Sequence, residues 1–355
     1  MTDNAHIAVL VPLLGALRQW VCPGEEAPWR FRETDWTAVL DLAEHNKCLL
    51  LVAEGMTRAG IAIPADREHR LLADREACLL QGMANLGVTA TLCSILRTHG
   101  IRAISMKGVL RAHALYGRWD VRPVHDSDIL VSHADYRSAI DVLAANGFYS
   151  PISATNKWWH EYLGESPHLP VNGGVIVDLH HKVWQPGTPA PTDIDNLIAK
   201  GGFAEVGGHT IPVMGEMDAA MLTASSLGKA LRSGEAWLHY AHELLVVTEA
   251  LDDRQRAAFD DYARAIGVFR LWRFATDLAS TTFRIGMEGA GPVAEDWSRS
   301  AATLLRTTEQ PARRWRRSHL LWKWTDGTGT RPFRFAREFC LVRLGEMRRH
   351  YEEAH

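Results

Sequence analysis

The chain has 355 residues, 46% of them hydrophobic and 23% charged, with a formal net charge of -3. That is enough chain for two or three packed units, and a charge this close to neutral argues against a general nucleic-acid binder while leaving room for a local basic patch. The five cysteines (Cys22, Cys48, Cys78, Cys93, Cys340) are odd in number and form no CxxC pair, which excludes a zinc-ribbon spacing and suits buried thiols in a reducing compartment.

The N-terminal MTDNAHIAVLVPLLGAL carries Asp3 and no basic segment ahead of its apolar residues, so no signal peptide is expected. No apolar run reads as approaching a membrane span of about 20 residues, and the expected compartment is the cytoplasm. Residues 1–100 read as a helical N-terminal lobe. Thr34 or Asp35 caps a helix with Trp36, Val39, Leu40, Leu42 and Ala43 at helical spacing, expected to run to about Gly60. Pro64 breaks the pattern, a long helix follows from about Asp66, and Gly100 stands where a C-terminal cap glycine belongs.

Residues 101–182 carry the strand signals, and 101–212 read as a separate core. IRAISMKGVLRAHALYGRWDVRPVHDSDILV (101–131) is an apolar strand, a Lys107-Gly108 turn, a short helix, an arginine-bearing loop and a second strand opened by Asp126 and Asp128. Ser132 caps a helix from about Ala134 to Asn146. HLPVNGGVIVDLHH (168–181) reads as a hairpin turning at Asn172-Gly173-Gly174, with Asp178 and His180 on one face of its second strand. Residues 183–212 look loop-rich around one short helix, and 213–355 return to helix as a C-terminal lobe. The basic, tryptophan-rich stretch ARRWRRSHLLWKWTDGTGTRPFRFAR reads either as a lobe interface or as a groove with stacking aromatics.

Side chains two apart on a strand share a face, so Asp126 and Asp128 project together. Paired carboxylates repel and favour a shared divalent cation or proton. A helix starting after Lys107-Gly108 offers free N–H groups to an anion. A metal-binding pair near a phosphate-binding turn suggests nucleotide chemistry. Asp193-Ile194-Asp195 has the same DxD spacing but follows a proline-rich loop and precedes a helix, so Thr192 or Asp193 is expected to be an N-cap.

The ordered set Met106-Lys107-Gly108, Leu115-Tyr116, Arg122-Pro123, Asp126-Ser127-Asp128-Ile129-Leu130-Val131 and Val177-Asp178-Leu179-His180 resembles the DNA polymerase beta-like nucleotidyltransferase superfamily. It is more similar to a bacterial branch marked by Lys-Gly in place of Gly-Ser. The resemblance covers roughly residues 30–250. It implies an α+β fold, a minimal nucleotidyltransferase core of small mixed sheet and helices between N- and C-terminal helical lobes. It also implies a two-metal transfer of an NMP from an NTP to an acceptor hydroxyl. Asp126, Asp128 and Asp178 would be the catalytic, metal-holding carboxylates, with Mg²⁺ or Mn²⁺ suiting hard oxygen ligands. Lys107, Gly108 and Arg122 would contact phosphates. His180 would hydrogen-bond behind the metal or on the acceptor side, and simple packing stands beside that role. Trp158 and Trp159 read as interface anchors, with base stacking the alternative.

ATP or GTP would be the first nucleotides to try, and the acceptor a protein, peptide or small molecule, with RNA less favoured and no membrane partner. Two alternatives stand beside this expectation: phosphoryl transfer from an NTP at the same site, and a non-catalytic nucleotide- or partner-binding module on the same fold.

Overall fold

The computed structural model describes residues 3–24, 34–154, 156, 158–183, 193–285 and 287. The tryptophan-rich stretch 312–337 and Cys340 lie outside the described residues. The chain begins with four helices, α1 (Asp3–Arg18), α2 (Trp36–His45), α3 (Leu49–Arg58) and α4 (Ala65–Thr98). Asp35 caps α2, its Oδ1 accepting from the Ala38 N–H at 3.0 Å. The single helix expected to run to Gly60 is instead two, α2 and α3. Lys47 takes a left-handed φ of 58°, its N–H donates to Glu44 O, and the Cys48 N–H donates to Ala43 O. This paired arrangement ends a helix by satisfying its orphan carbonyls. Gly100, at φ 77°, closes α4 with the same two bonds.

Contrary to the expectation from apolar runs, α4 is long and apolar enough to cross a membrane by length and composition alone. Its sequence disguises this because buried positions are interleaved with charges in its first half. Here it lies against the sheet, burying Leu86, Ala90, Leu92, Cys93 and Leu96.

The sheet has seven strands: β1 (Ala103–Ser105), β2 (Asp126–Val131), β3 (Phe148–Tyr149), β4 (Glu165–Pro170), β5 (Ile176–His180), β6 (Gly202–Val206) and β7 (His209–Val213). Their order is β3-β4-β5-β2-β1-β7-β6. The β2–β5 and β1–β7 pairs are parallel and the other pairs antiparallel. Helix α5 (Val109–Tyr116) follows β1, α6 (Tyr136–Ala145) follows β2, and α7 (Ile194–Ala199) precedes β6. Asp193 caps α7, accepting from the Asn196 N–H at 2.9 Å.

Residues 202–213 are not loop: they form the β6–β7 hairpin turning at Gly207-Gly208, both with positive φ. The alternation there was hard to see because Phe203 faces solvent at 69% exposure and Pro212 interrupts the pattern.

Alternation along the central strands sends side chains to two different cores. Ile129, Val131, Val177 and Leu179 pack with Leu92 and Leu96 of α4 and with Tyr136, Ala139 and Leu143 of α6. Ile104, Met106 and Leu130 join a larger cluster with α8 (Glu216–Ser233), α9 (Leu238–Glu249), α11 (Phe269–Phe283) and the N-terminal helices. Helix α10 (Asp253–Ala265) packs beside α11 through Phe259 and Trp272. The chain is a mixed α+β protein, its sheet bracketed in sequence by helices.

Candidate active site

β2 and β5 run parallel in a register that sets Asp128 directly opposite Asp178 and Leu130 opposite His180. Asp126 opens the same strand beside Ile176. Ser127 points the other way and its Oγ meets Thr89 Oγ1 of α4 at 2.7 Å. Asn85, one turn earlier on α4, donates its side-chain N–H to the Asp126 carbonyl. The strand carrying the two aspartates is thus pinned from behind by a rigid helix, which fixes where their carboxylates point.

Asp128 is the centre of the site. It is buried, and its Oδ1 accepts from Lys107 Nζ at 2.9 Å and from His180 Nε2 at 3.0 Å. Burial alone would raise its pKa, but the Lys107 ammonium and the His180 hydrogen bond outweigh it and hold the carboxyl down at about 2. Its second oxygen, Oδ2, is buried and has no hydrogen-bond partner. A buried, ionised carboxylate oxygen with nothing to bind is costly unless something positive meets it.

Across the register, burial pushes the Asp178 carboxyl up to about 6, opposed by His180 and reinforced by the charges of Asp128, Asp126 and Glu165. One ligand atom each from Asp128, Asp178 and His180 lies within 4.8 Å of the others, a spacing able to hold a metal ion. Both imidazole nitrogens already face carboxylates, Nε2 on Asp128 and Nδ1 3.4 Å from Glu165. Burial disfavours charge on His180, yet these two neighbours raise its pKa overall. With both of its nitrogens already set against carboxylates, His180 leaves the carboxylate oxygens as the donors open to a cation. The orphaned Asp128 Oδ2 and the repelled Asp178 fit a hard divalent ion such as Mg²⁺.

The Lys107-Gly108 turn closes the near side. Gly108 has φ 92° and ψ -147°, a conformation that side-chain-bearing residues avoid, and it opens α5. Burial of the Lys107 ammonium is overcome by Asp128 and Asp126, which raise its pKa.

Arg122 is held within the protein: its Nε lies 2.6 Å from Oε1 of the buried Glu243 on α9. Asp126 is half-buried, and its charge reaches both Lys107 and Asp178. His181, the next residue after His180, turns to the opposite face and donates its Nε2–H to the His160 carbonyl at 2.7 Å.

Two features were not foreseen from sequence. Glu165 pairs in register with His180 from β4, a partner visible only once the hairpin register is known. Helix α8 brings Leu222, Ser225, Ser226 and Lys229 over the carboxylate face. There they line an open cleft with Met106, Lys107, Glu165, His180 and Lys182. The polar spacing at 225, 226 and 229, interrupting an apolar helix pattern, was the available signal.

The model of a family described as "Uncharacterised nucleotidyltransferase" matches residues 32–284. Among solved structures, the chain is similar to an antigenic nucleotidyltransferase-like protein from Paracoccidioides brasiliensis, at 11% identity and a TM-score of 0.33, over 56% of this chain and 91% of that one. No curated protein matches. Because the family match covers well over half of its length, the chain belongs to the uncharacterised nucleotidyltransferase family.

Proposed function

We propose that the protein transfers an NMP from an NTP to an acceptor hydroxyl, with Asp126, Asp128 and Asp178 holding Mg²⁺ or Mn²⁺. The observation that carries this reading is the orphaned, buried Asp128 Oδ2 beside Asp178, next to a lysine-glycine turn that opens a helix. When bound, a divalent cation would supply charge for the α-phosphate and lower the pKa of the acceptor hydroxyl.

The protein's own groups do the rest. Lys107 fixes one Asp128 oxygen and so leaves the other for the cation. His180, held between Asp128 and Glu165, keeps the second donor set from rotating. The Gly108 turn presents backbone N–H groups to phosphate oxygens. In the reaction the acceptor oxygen bonds to the α-phosphorus, the bond from that phosphorus to the bridging oxygen breaks, and pyrophosphate leaves. We assign the acceptor's proton to Asp178, the carboxylate of the pair to which neither Lys107 nor His180 donates. ATP and GTP are the first substrates to test, with a protein, peptide or small molecule as acceptor.

The test is Mg²⁺-dependent binding and turnover of each NTP by wild type and Asp128→Asn, with thermal melts as a folding control and product masses recorded. Metal-dependent binding in the wild type, lost in the folded variant, with an NMP added to an acceptor from cell extract, is the expected result. A phosphate added instead moves the reaction to phosphoryl transfer. Failure of every NTP to bind with either ion overturns the reading and leaves a partner-binding module.

A further inference from the structure

The sheet face that carries the carboxylates continues beyond Asp178. Residues directly opposite in neighbouring strands share a face, and so do residues two apart on one strand. Ile176 of β5 stands opposite Asp126. β4 sets Pro167 opposite Asp178, and β3 sets Tyr149 opposite Leu169. Two rows therefore cross the sheet on this face. One runs Asp128, Asp178, Pro167, and the other runs Asp126, Ile176, Leu169, Tyr149. Strands lie about 4.8 Å apart, so the second row spans about 14 Å.

The apolar members of these rows are not core. Val177 and Leu179, on the other face of β5, are fully buried, whereas Tyr149 is 50% exposed and Ile176 41%. Pro167 and Leu169 are half-buried. Single exposed apolar side chains need no explanation, but four aligned by register beside a carboxylate pair make a continuous apolar floor.

The floor lies to one side of the carboxylates. The Lys107-Gly108 turn follows β1, which borders β2 on the other side. In an in-line displacement the entering and leaving oxygens stand on opposite sides of the phosphorus. With the phosphates held toward β1, the acceptor enters over β5, β4 and β3. Its hydroxyl gives its proton to Asp178 and its oxygen bonds the α-phosphorus as pyrophosphate departs.

The chemistry of the floor selects what lies on it. The four side chains offer one hydroxyl, that of Tyr149, and no cation. A sugar or an RNA end laid there would give up water with little to replace it. An anionic acceptor would also meet Asp126, Asp178 and Glu165. An uncharged ring or chain gains by contact instead.

We propose that Pro167, Leu169, Ile176 and Tyr149 form the acceptor platform, and that the acceptor is an uncharged small molecule whose hydroxyl is carried on an apolar ring or chain. This rests on the nucleotidyltransferase reading above and narrows its acceptor.

The experiment uses the full chain and two neutral hydroxyl-bearing probes, 2-naphthol and glucose, titrated by fluorescence and calorimetry. The proteins are wild type, Asp128→Asn, Tyr149→Ser and the double variant Tyr149→Ser/Ile176→Ser, with thermal melts as a folding control. Wild type is expected to bind 2-naphthol at least tenfold more tightly than glucose. The double variant is expected to lose at least tenfold of that affinity while binding of ATP with Mg²⁺ stays within twofold. If the double variant does not fold, Tyr149→Ser alone carries the expectation, at threefold or more. Saturation with Mg²⁺ and an ATP analogue bearing a methylene bridge between its α- and β-phosphates should leave 2-naphthol affinity within twofold, as two ligands on opposite sides of the metal site require.

Equal affinity for the two probes overturns the platform, and so does 2-naphthol binding unchanged in a folded variant. Both results leave the nucleotidyltransferase reading standing where ATP binding needs the metal and is lost in Asp128→Asn. Displacement of 2-naphthol by the nucleotide analogue gives the floor to the nucleobase and overturns the acceptor assignment. 2-Naphthol held by the floor with no NTP bound under either ion overturns the nucleotidyltransferase reading and the acceptor role with it.

Discussion

At the scale of single residues, the site is built on opposed electrostatics. Asp128 and Asp178 are register partners with carboxyl pKa values held at about 2 and about 6. Lysine and histidine hold the first down, while burial, reinforced by the neighbouring carboxylates, pushes the second up. The direction for stability follows from the folded pKa of Asp178 lying above its ordinary 3.8. The penalty is absent below about pH 4, grows as the pH rises, and is complete above pH 6. Asp178→Asn should therefore raise unfolding free energy at pH 7.5 by about 1–3 kcal/mol after allowance for its partial exposure. The gain should vanish at pH 4. Urea denaturation at the two pH values checks this, and equal stabilities at pH 7.5 would sink it.

That Asp126, Asp128, Asp178, Lys107 and His180 lie near one another was legible in sequence, because strand alternation and a glycine turn speak locally. Glu165 was not, since its role depends on a hairpin register. The partner of Arg122 was not either, because Glu243 lies about 120 residues away.

Among the elements, the break between α2 and α3 is the most instructive. The helical periodicity of 36–58 continues across it, so periodicity alone joins the two helices. What divides them is a helix ending normally marked by glycine and here carried by Lys47. Asn46, whose side-chain N–H returns to Leu42 O at 2.9 Å, was the faint local signal. A lysine in left-handed backbone costs about 1 kcal/mol relative to glycine, partly offset by glycine's greater freedom when unfolded. Lys47→Gly should stabilise the protein by about 0.5 kcal/mol or more, read as a rise in denaturant midpoint. A fall would show that the lysine side chain contributes more than its backbone costs. The β6–β7 hairpin was missed for the opposite reason: a glycine pair announced the turn, but Phe203 faces water and blurs the strand pattern.

For the molecule as a whole, helices distant in sequence converge on the sheet. Arg122, just before β2, meets Glu243 on α9, and both side chains are largely buried. Breaking a buried pair leaves a stranded charge, whereas replacing both partners by apolar groups is often neutral. Arg122→Ala should cost about 3–5 kcal/mol, and Arg122→Met combined with Glu243→Leu should recover most of it. A double-mutant cycle by chemical denaturation measures this; a double variant no more stable than Arg122→Ala would refute the coupling. The Leu17 carbonyl likewise accepts from His242 Nε2 at 3.0 Å, tying α1 to α9. Layered α+β architecture was legible from the alternation of strand and helix patterns. The closure of α8 over the sheet was not, because an amphipathic helix states that it packs but not against what.

The distance along the chain between Arg122 and Glu243 also has a meaning in time. A ribosome adding about 5–20 residues per second needs roughly 6–25 s to pass from one to the other. Over most of that interval the nascent chain carries Asp126 and Asp128, later joined by Asp178, before α8 (Glu216–Ser233) is made, and until its end the arginine lacks Glu243. Translation speed over 123–243, and any factor that shields an unpaired guanidinium there, should govern how much of the newly made protein reaches its finished form.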